Sequence, residues 1–268
     1  MEADGQESRS VKAMTASIYF LKRSPLFQTE KPYAFRFPVE DVAQTNMEME
    51  RVDSINISDI RARGKPASLE DDGFAILELE GTVLESGSLN QKNLRSYFQT
   101  LESLLKSYLR AAEVKIFRHG IRKRHPQFPT STGEAYEFDQ PTSVAHIDTT
   151  PEEMNQEIRR QFGSEADHYL SKRSQWINVW KPLKGPLNDW PLTLCDASNV
   201  QTGDVESADL LYPDLATENY QVYHNQNYRW YYLSDHKVSE IIVFKQADSE
   251  PSRCPGQSSP MVVAVGEL

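Results

Sequence analysis

The chain has 268 residues, of which 38% are hydrophobic and 25% charged, enough for one full core with a substantial elaboration around it. Its formal net charge of -10 disfavours a protein whose business is coating nucleic acid, because neutralising phosphate requires a basic surface. Only two cysteines occur, Cys195 and Cys254, which excludes a disulfide framework and a four-cysteine zinc site and fits a reducing compartment.

Residues 1–14 are polar and acidic without the apolar region of a signal peptide, so they read as a disordered tail. No run approaches the roughly 18 apolar residues of a spanning helix, and the expected setting is the cytoplasm, away from membranes. A first strand follows at "ASIYFLKR", then a Pro-bounded extended segment at "EKPYAFRFPVE". The clearest helix is "NLRSYFQTLESLLKSYLRAA", where Leu94, Tyr97, Phe98, Leu101, Leu104, Leu105, Tyr108 and Leu109 recur at the spacing of one buried face. These elements form a unit of strands and covering helix over residues 15–135.

The second half is rich in aromatic and β-branched residues broken by Pro, Gly, Asn and Asp. Strands are predicted at "EVKIFRHGIR", "TSVAHID", "QWINVWKPL", "WPLTLCD", "YQVYHN", "YRWYYLS" and "EIIVFKQ". A second helix, "PEEMNQEIRRQFG", starts at Pro151 with Glu152 and Glu153 in its first turn and stops at Gly163. Many short strands about ten residues apart favour a sandwich or barrel over a parallel doubly wound sheet. The basic run "FRHGIRKRHP", Phe117 to Pro126, reads as a solvated strand edge or loop.

Alternation in "QWINVWKPL" puts Trp176, Asn178 and Trp180 on one face and Ile177 and Val179 on the other. The first face is a candidate cavity lining together with Tyr223 and Tyr231, with ordinary two-sided burial as the alternative. In "SVAHIDTT" the imidazole of His146 and the carboxylate of Asp148 are two residues apart, so at a strand end both point to one side and can reach one ion. As a bare pattern His-x-Asp is weak, and a surface His–Asp pair is the alternative.

The ordered segments "QPTSVAHIDTTPEE", "WINVWKPLKGPLNDWPLTLCDA", "SADLLYPD" and "YRWYYLSDHKVSEIIVFKQADSE" resemble the fungal hydroxylase/desaturase family of secondary-metabolite clusters, which is related to gibberellin desaturase and to the small chain of the cephalosporin methoxylase. The resemblance runs from about Ser17 to Glu250. It implies a mainly β fold with flanking helices, a double-stranded β-helix (jelly roll), whose metal-bearing core spans 136–250. It also implies a non-haem Fe(II), 2-oxoglutarate-dependent oxidoreductase that hydroxylates or desaturates a small secondary metabolite, with His146 and Asp148 as the first two iron ligands. Its partners would be a small-molecule substrate and an enzyme of the same pathway.

The segment 251–268, "EPSRCPGQSSPMVVAVGEL" from Glu250 onward, departs from the family, which continues with a loop carrying the second histidine ligand and a strand carrying an arginine. No histidine follows His236 here, so no third ligand is identifiable, and the last strand is either missing or altered to the short run Met261–Val265. His224 and His236 are substitutes in principle but are expected in exposed turns, and Cys254 is expected to be incidental. The alternative function is therefore a catalytically degenerate member of the same fold acting as a binding or partner subunit.

Overall fold

The computed structural model describes residues 14–80, 84–128, 136–250 and the backbone of 263–264. The tail expected over 1–14 lies outside these residues except for Met14, which opens the first strand, and the atypical segment 251–268 lies outside them except for the backbone of 263–264.

Two sheets and a covering helix carry the architecture. The larger sheet contains, in chain order, β1 (Met14–Leu21), β2 (Tyr33–Phe35), β3 (Met49–Asp59), β5 (His146–Ile147), β7 (Thr193–Cys195), β8 (Val205–Leu211), β9 (Ala216–Val222), β10 (Trp230–Tyr232) and β12 (Val263–Ala264). Its spatial order is β1-β3-β10-β7-β12-β5-β9-β8-β2. The smaller sheet sets β11 (Glu240–Asp248) between β4 (Phe74–Glu78) and β6 (Gln175–Trp180), all antiparallel. The larger sheet curls until β1 meets the segment before β5, where Tyr19 N donates to Ser143 O at 2.9 Å and Ala145 N to Tyr19 O at 2.8 Å. The jelly-roll expectation holds, and its last strand is present as a two-residue piece: Val263 pairs with both His146 and Leu194.

Period-2 alternation sorts the side chains into three apolar layers. Ile18, Phe20, Ile57, Ile147, Val222 and Trp230 pack on one side of the larger sheet. Leu194 and Leu233 meet Ile242 and Phe244 of β11 between the two sheets, with Trp180 and Tyr231 at the margin. Ile241 and Val243 point the other way and are covered by Tyr97, Leu101 and Leu105 of α1 (Gln91–Leu109), the helix the sequence marks most clearly. Leu101→Ala removes a buried anchor of that layer and is expected to cost about 2–4 kcal/mol, measured by urea unfolding.

Helix α2 (Pro151–Phe162) follows the site strand at once. The Thr150 side chain accepts from Glu153 N at 3.1 Å, Pro151 occupies the first turn, and Gly163 ends the helix at φ 53°, where an L side chain is strained. A short helix α3 (Ala166–Leu170) leads back to β6.

Some sequence expectations are corrected. "EVKIFRHGIR" is not a strand: its one pairing is an isolated bridge between Arg122 and Asp139, and Val114 and Ile116 pack on the α1 layer without a partner strand. Conversely, β3, β4 and β8 are strands that the pattern did not announce. In β3 an extra residue opposes β1 between Ala16 and Ile18, with Ser54 at φ 59°, so Val52 and Ile55 both pack against the same apolar layer although three residues apart. Such a bulge erases the alternation that identifies a strand.

Candidate metal centre

His146 lies in a strand of two residues, directly across from Gln221 of β9, which in turn pairs with Glu206 of β8. Side chains paired across antiparallel strands share a face, so His146, Gln221 and Glu206 form a polar row on one side of the sheet, while Ile147 and Val222 point into the apolar layer behind it. After Ile147 the chain leaves the sheet, and the Asp148 backbone N donates to Gln246 Oε1 at 2.6 Å. The two sheets meet here.

The two candidate ligands converge: His146 Nε2 stands 3.1 Å from Asp148 Oδ1. Each is held from behind. His146 Nδ1 is 2.8 Å from Val144 O, and since a carbonyl only accepts, Nδ1 carries the proton and Nε2 faces the site. Asp148 Oδ2 accepts from Asn178 Nδ2, and Asn178 Oδ1 accepts in turn from Trp176 Nε1 at 3.1 Å. Burial opposes charge on the His146 ring, but the Asp148 carboxylate and the Val144 carbonyl outweigh it and raise the imidazole pKa. Burial likewise works against the Asp148 charge, yet His146 and Asn178 hold its pKa below the ordinary value; nearby Arg122 favours the carboxylate and opposes the imidazolium.

This donor set fits a divalent metal ion. Two donors each about 2.1 Å from an octahedral ion and at right angles lie about 3 Å apart, and the observed separation is 3.1 Å. The backing hydrogen bonds are the second layer that fixes tautomer and orientation in metal sites. The Asp148 side chain is 43% exposed, leaving a route of entry. Among the described residues no third His, Cys, Asp or Glu joins the pair.

The other sequence candidates are dispersed. Trp176 and Asn178 stand at Asp148, and Trp176 packs edge-on against Phe117 at 4.8 Å. Trp180 lies further along β6 with its ring 5.5 Å from His236, Tyr231 sits beneath Arg63 at 4.8 Å, and Tyr223 lies under Arg23 and donates to Glu206. His224 is exposed beside Phe20. His236 is not in an exposed turn as expected: it is 1% exposed, with Nε2 2.9 Å from Glu240 O, packed away from the site. Cys254 lies outside the described residues. The basic run serves internal contacts, with Arg118 on Glu157, Arg124 on Asp189 and Arg122 on Gln140 O.

Two residues at the site were not singled out by sequence reasoning. Gln246 is fully buried at a bulge of β11, between Lys245 and Ala247, and among the described residues its Nε2 has no hydrogen-bond partner; Gln221 Oε1 is likewise buried without one among them. A buried group left unpaired costs roughly 1–3 kcal/mol, so these atoms mark where a polar occupant belongs. By alternation Gln246 shares the face of Ile242 and Phe244, toward the larger sheet, which is how it reaches Asp148. Asn178→Ala removes the group that holds Oδ2 and is expected to weaken Mn(II) binding about 10- to 100-fold by calorimetry, with the fold retained.

A family described as an oxidoreductase/YMDC permease-like domain matches residues 18–261. The chain belongs to this family. As a member of this oxidoreductase family it is similar to the alpha-ketoglutarate-dependent dioxygenase phiK from Fungal sp., 25% identical over 75% of this chain and 72% of that protein. It is similar also to the hydroxylase/desaturase efuI of Hormonema carpetanum, 27% identical over 74% of each chain. The resemblance to fungal hydroxylase/desaturases that the motifs carry is thereby upheld. Its fold is that of the iron and alpha-ketoglutarate-dependent endoperoxidase NvfI, a variant of which aligns with a TM-score of 0.83 at 22% identity over 97% of this chain and 91% of that one. Among the described residues of this family member, no helix is long and apolar enough to cross a membrane.

Proposed function

We propose that the chain is a non-haem Fe(II)- and 2-oxoglutarate-dependent oxygenase that hydroxylates or desaturates a small secondary metabolite or its biosynthetic intermediate. The observation that carries this is the convergence of His146 Nε2 and Asp148 Oδ1 at 3.1 Å, each with its far atom tied back. Membership of the oxidoreductase family and the activities of phiK and efuI support it, and the fold shared with NvfI agrees with it.

When bound, iron with the keto acid would activate dioxygen, the oxidant needed to break an unactivated C–H bond. The protein's own residues do the rest. His146 presents Nε2 because Val144 O takes its other proton, and Asp148 presents Oδ1 because Asn178 holds Oδ2. Trp176 and Phe117 form an aromatic wall beside Asp148 against which an apolar substrate is oriented. The same reading puts the enzyme in the cytoplasm, with an enzyme of the same pathway as its partner.

The test is uncoupled turnover in air. Purified protein with Fe(II) and 2-oxoglutarate is expected to release succinate, followed by mass spectrometry, above an iron-free control, and His146→Ala is expected to remove the excess. Iron-independent succinate, or the same yield from the variant, would sink the reading.

A further inference from the structure

Gln246 has two ends with different fates. Its Oε1 accepts the Asp148 backbone N–H at 2.6 Å, which fixes the orientation of the amide group. Its Nε2, held beside Asp148 by that bond, is buried and makes no hydrogen bond among the described residues. An amide nitrogen can only donate, so the absent partner is an acceptor. Gln246 shares the face of Ile242 and Phe244 on β11, and at the bulge between Lys245 and Ala247 it reaches Asp148, where the larger sheet meets the smaller one. Gln221, across from His146, presents the opposite need, an unpaired acceptor that an anion cannot satisfy.

We propose that Gln246 is a binding residue for the acidic cosubstrate: its Oε1 fixes the main chain of Asp148 while its Nε2 donates to an oxygen of the small keto dicarboxylate seated beside His146 and Asp148. This rests on the functional reading above and adds a residue to it. The choice of a carboxylic or keto oxygen follows from chemistry: such a ligand offers only acceptors, and an amide N–H₂ offers only donors.

Gln246→Glu separates the two ends, since it keeps an oxygen on the Asp148 N–H and replaces the donor by an acceptor. Gln246→Met keeps the volume and cannot ionise. Calorimetry measures Mn(II) binding alone, then 2-oxoglutarate binding to the Mn(II)-loaded protein, on variants whose circular dichroism matches the parent. The expected result is a roughly 10- to 100-fold loss of 2-oxoglutarate affinity in both variants, with Mn(II) affinity of Gln246→Glu within about threefold of the parent. Unchanged 2-oxoglutarate affinity in either folded variant overturns the proposal. A loss of Mn(II) affinity in Gln246→Glu as large as that for the keto acid also overturns it, because Gln246 would then act only through Asp148. If the parent protein binds Mn(II) but no 2-oxoglutarate, the functional reading fails and this inference with it.

Discussion

His146→Ala and Asp148→Ala are each expected to lower metal affinity at least about 100-fold while leaving the fold intact. The expectation follows from position. Substituting a residue that merely supports a ligand typically costs about 10- to 100-fold, and removing the ligand itself costs at least as much. Neither side chain belongs to an apolar layer: the layer behind β5 is built from Ala145 and Ile147, and the Asp148 side chain is 43% exposed. Stability should therefore change little, by less than about 1 kcal/mol for groups outside the packed core. Electron paramagnetic resonance of Mn(II) reads the free ion directly during a titration. If both variants bind Mn(II) as the parent does, the pair is a hydrogen-bonded strand end and nothing more.

Asp248→Asn is expected to be the most destabilising conservative change at the smaller sheet, costing about 3–5 kcal/mol. The Asp248 side chain is fully buried at the end of β11, where Arg173 grips both its oxygens at 3.0 and 2.6 Å and Lys245 Nζ lies 3.0 Å away. Burial opposes its charge, but Arg173, the Glu250 backbone N–H and Lys245 prevail and pull its pKa from 3.8 down to about 2. A carboxylate depressed in the folded state contributes stability that is fully present above its unfolded pKa and is lost as pH falls through the folded one. Here that contribution is roughly 2 kcal/mol at neutral pH, and it disappears between about pH 4 and pH 2. Urea unfolding at pH 7 and at steps down to pH 3 checks both points. The parent should weaken over that window, whereas the variant, weaker at neutral pH, should lose less. Equal acid sensitivity in parent and variant would contradict the assignment.

How much was readable in advance differs from residue to residue, for physical reasons. The face of α1 was legible because the i, i+3, i+4, i+7 recurrence over a long helix leaves no competing period, although Tyr108, expected on that face, is exposed at the helix end; Pro151 in the first turn of α2 and the stop at Gly163 are local chemistry. His146 and Asp148 were legible as a pair because a strand end turns residues i and i+2 the same way. Gln246 was not: its face follows from the alternation of "EIIVFKQ", but its partner, the Asp148 backbone N–H, lies 98 residues away and nothing local announces it. The bulge at Ser54 hid β3, because it breaks the alternation. Val114 and Ile116 misled in the opposite sense: they alternate because they pad the α1 layer, with no neighbouring strand to pair with. His236 sits among polar neighbours in sequence, yet tertiary packing against Trp180 buries it. The last strand was in doubt because two residues, Val263 and Ala264, suffice to fill the place between β5 and β7.

That short strand bears on the choice between an oxygenase and a degenerate binding subunit, since it pairs with His146 itself and completes the sheet around the site. The central claim is that this pair of side chains, in this chain, holds iron together with the keto acid. Anaerobic titration of the purified protein with Fe(II) in the presence of 2-oxoglutarate tests it most directly. A weak visible charge-transfer band that saturates at one iron per chain, and is missing in His146→Ala, is the predicted result. Saturable iron binding with no such band, or a band that persists unchanged in the variant, would contradict it.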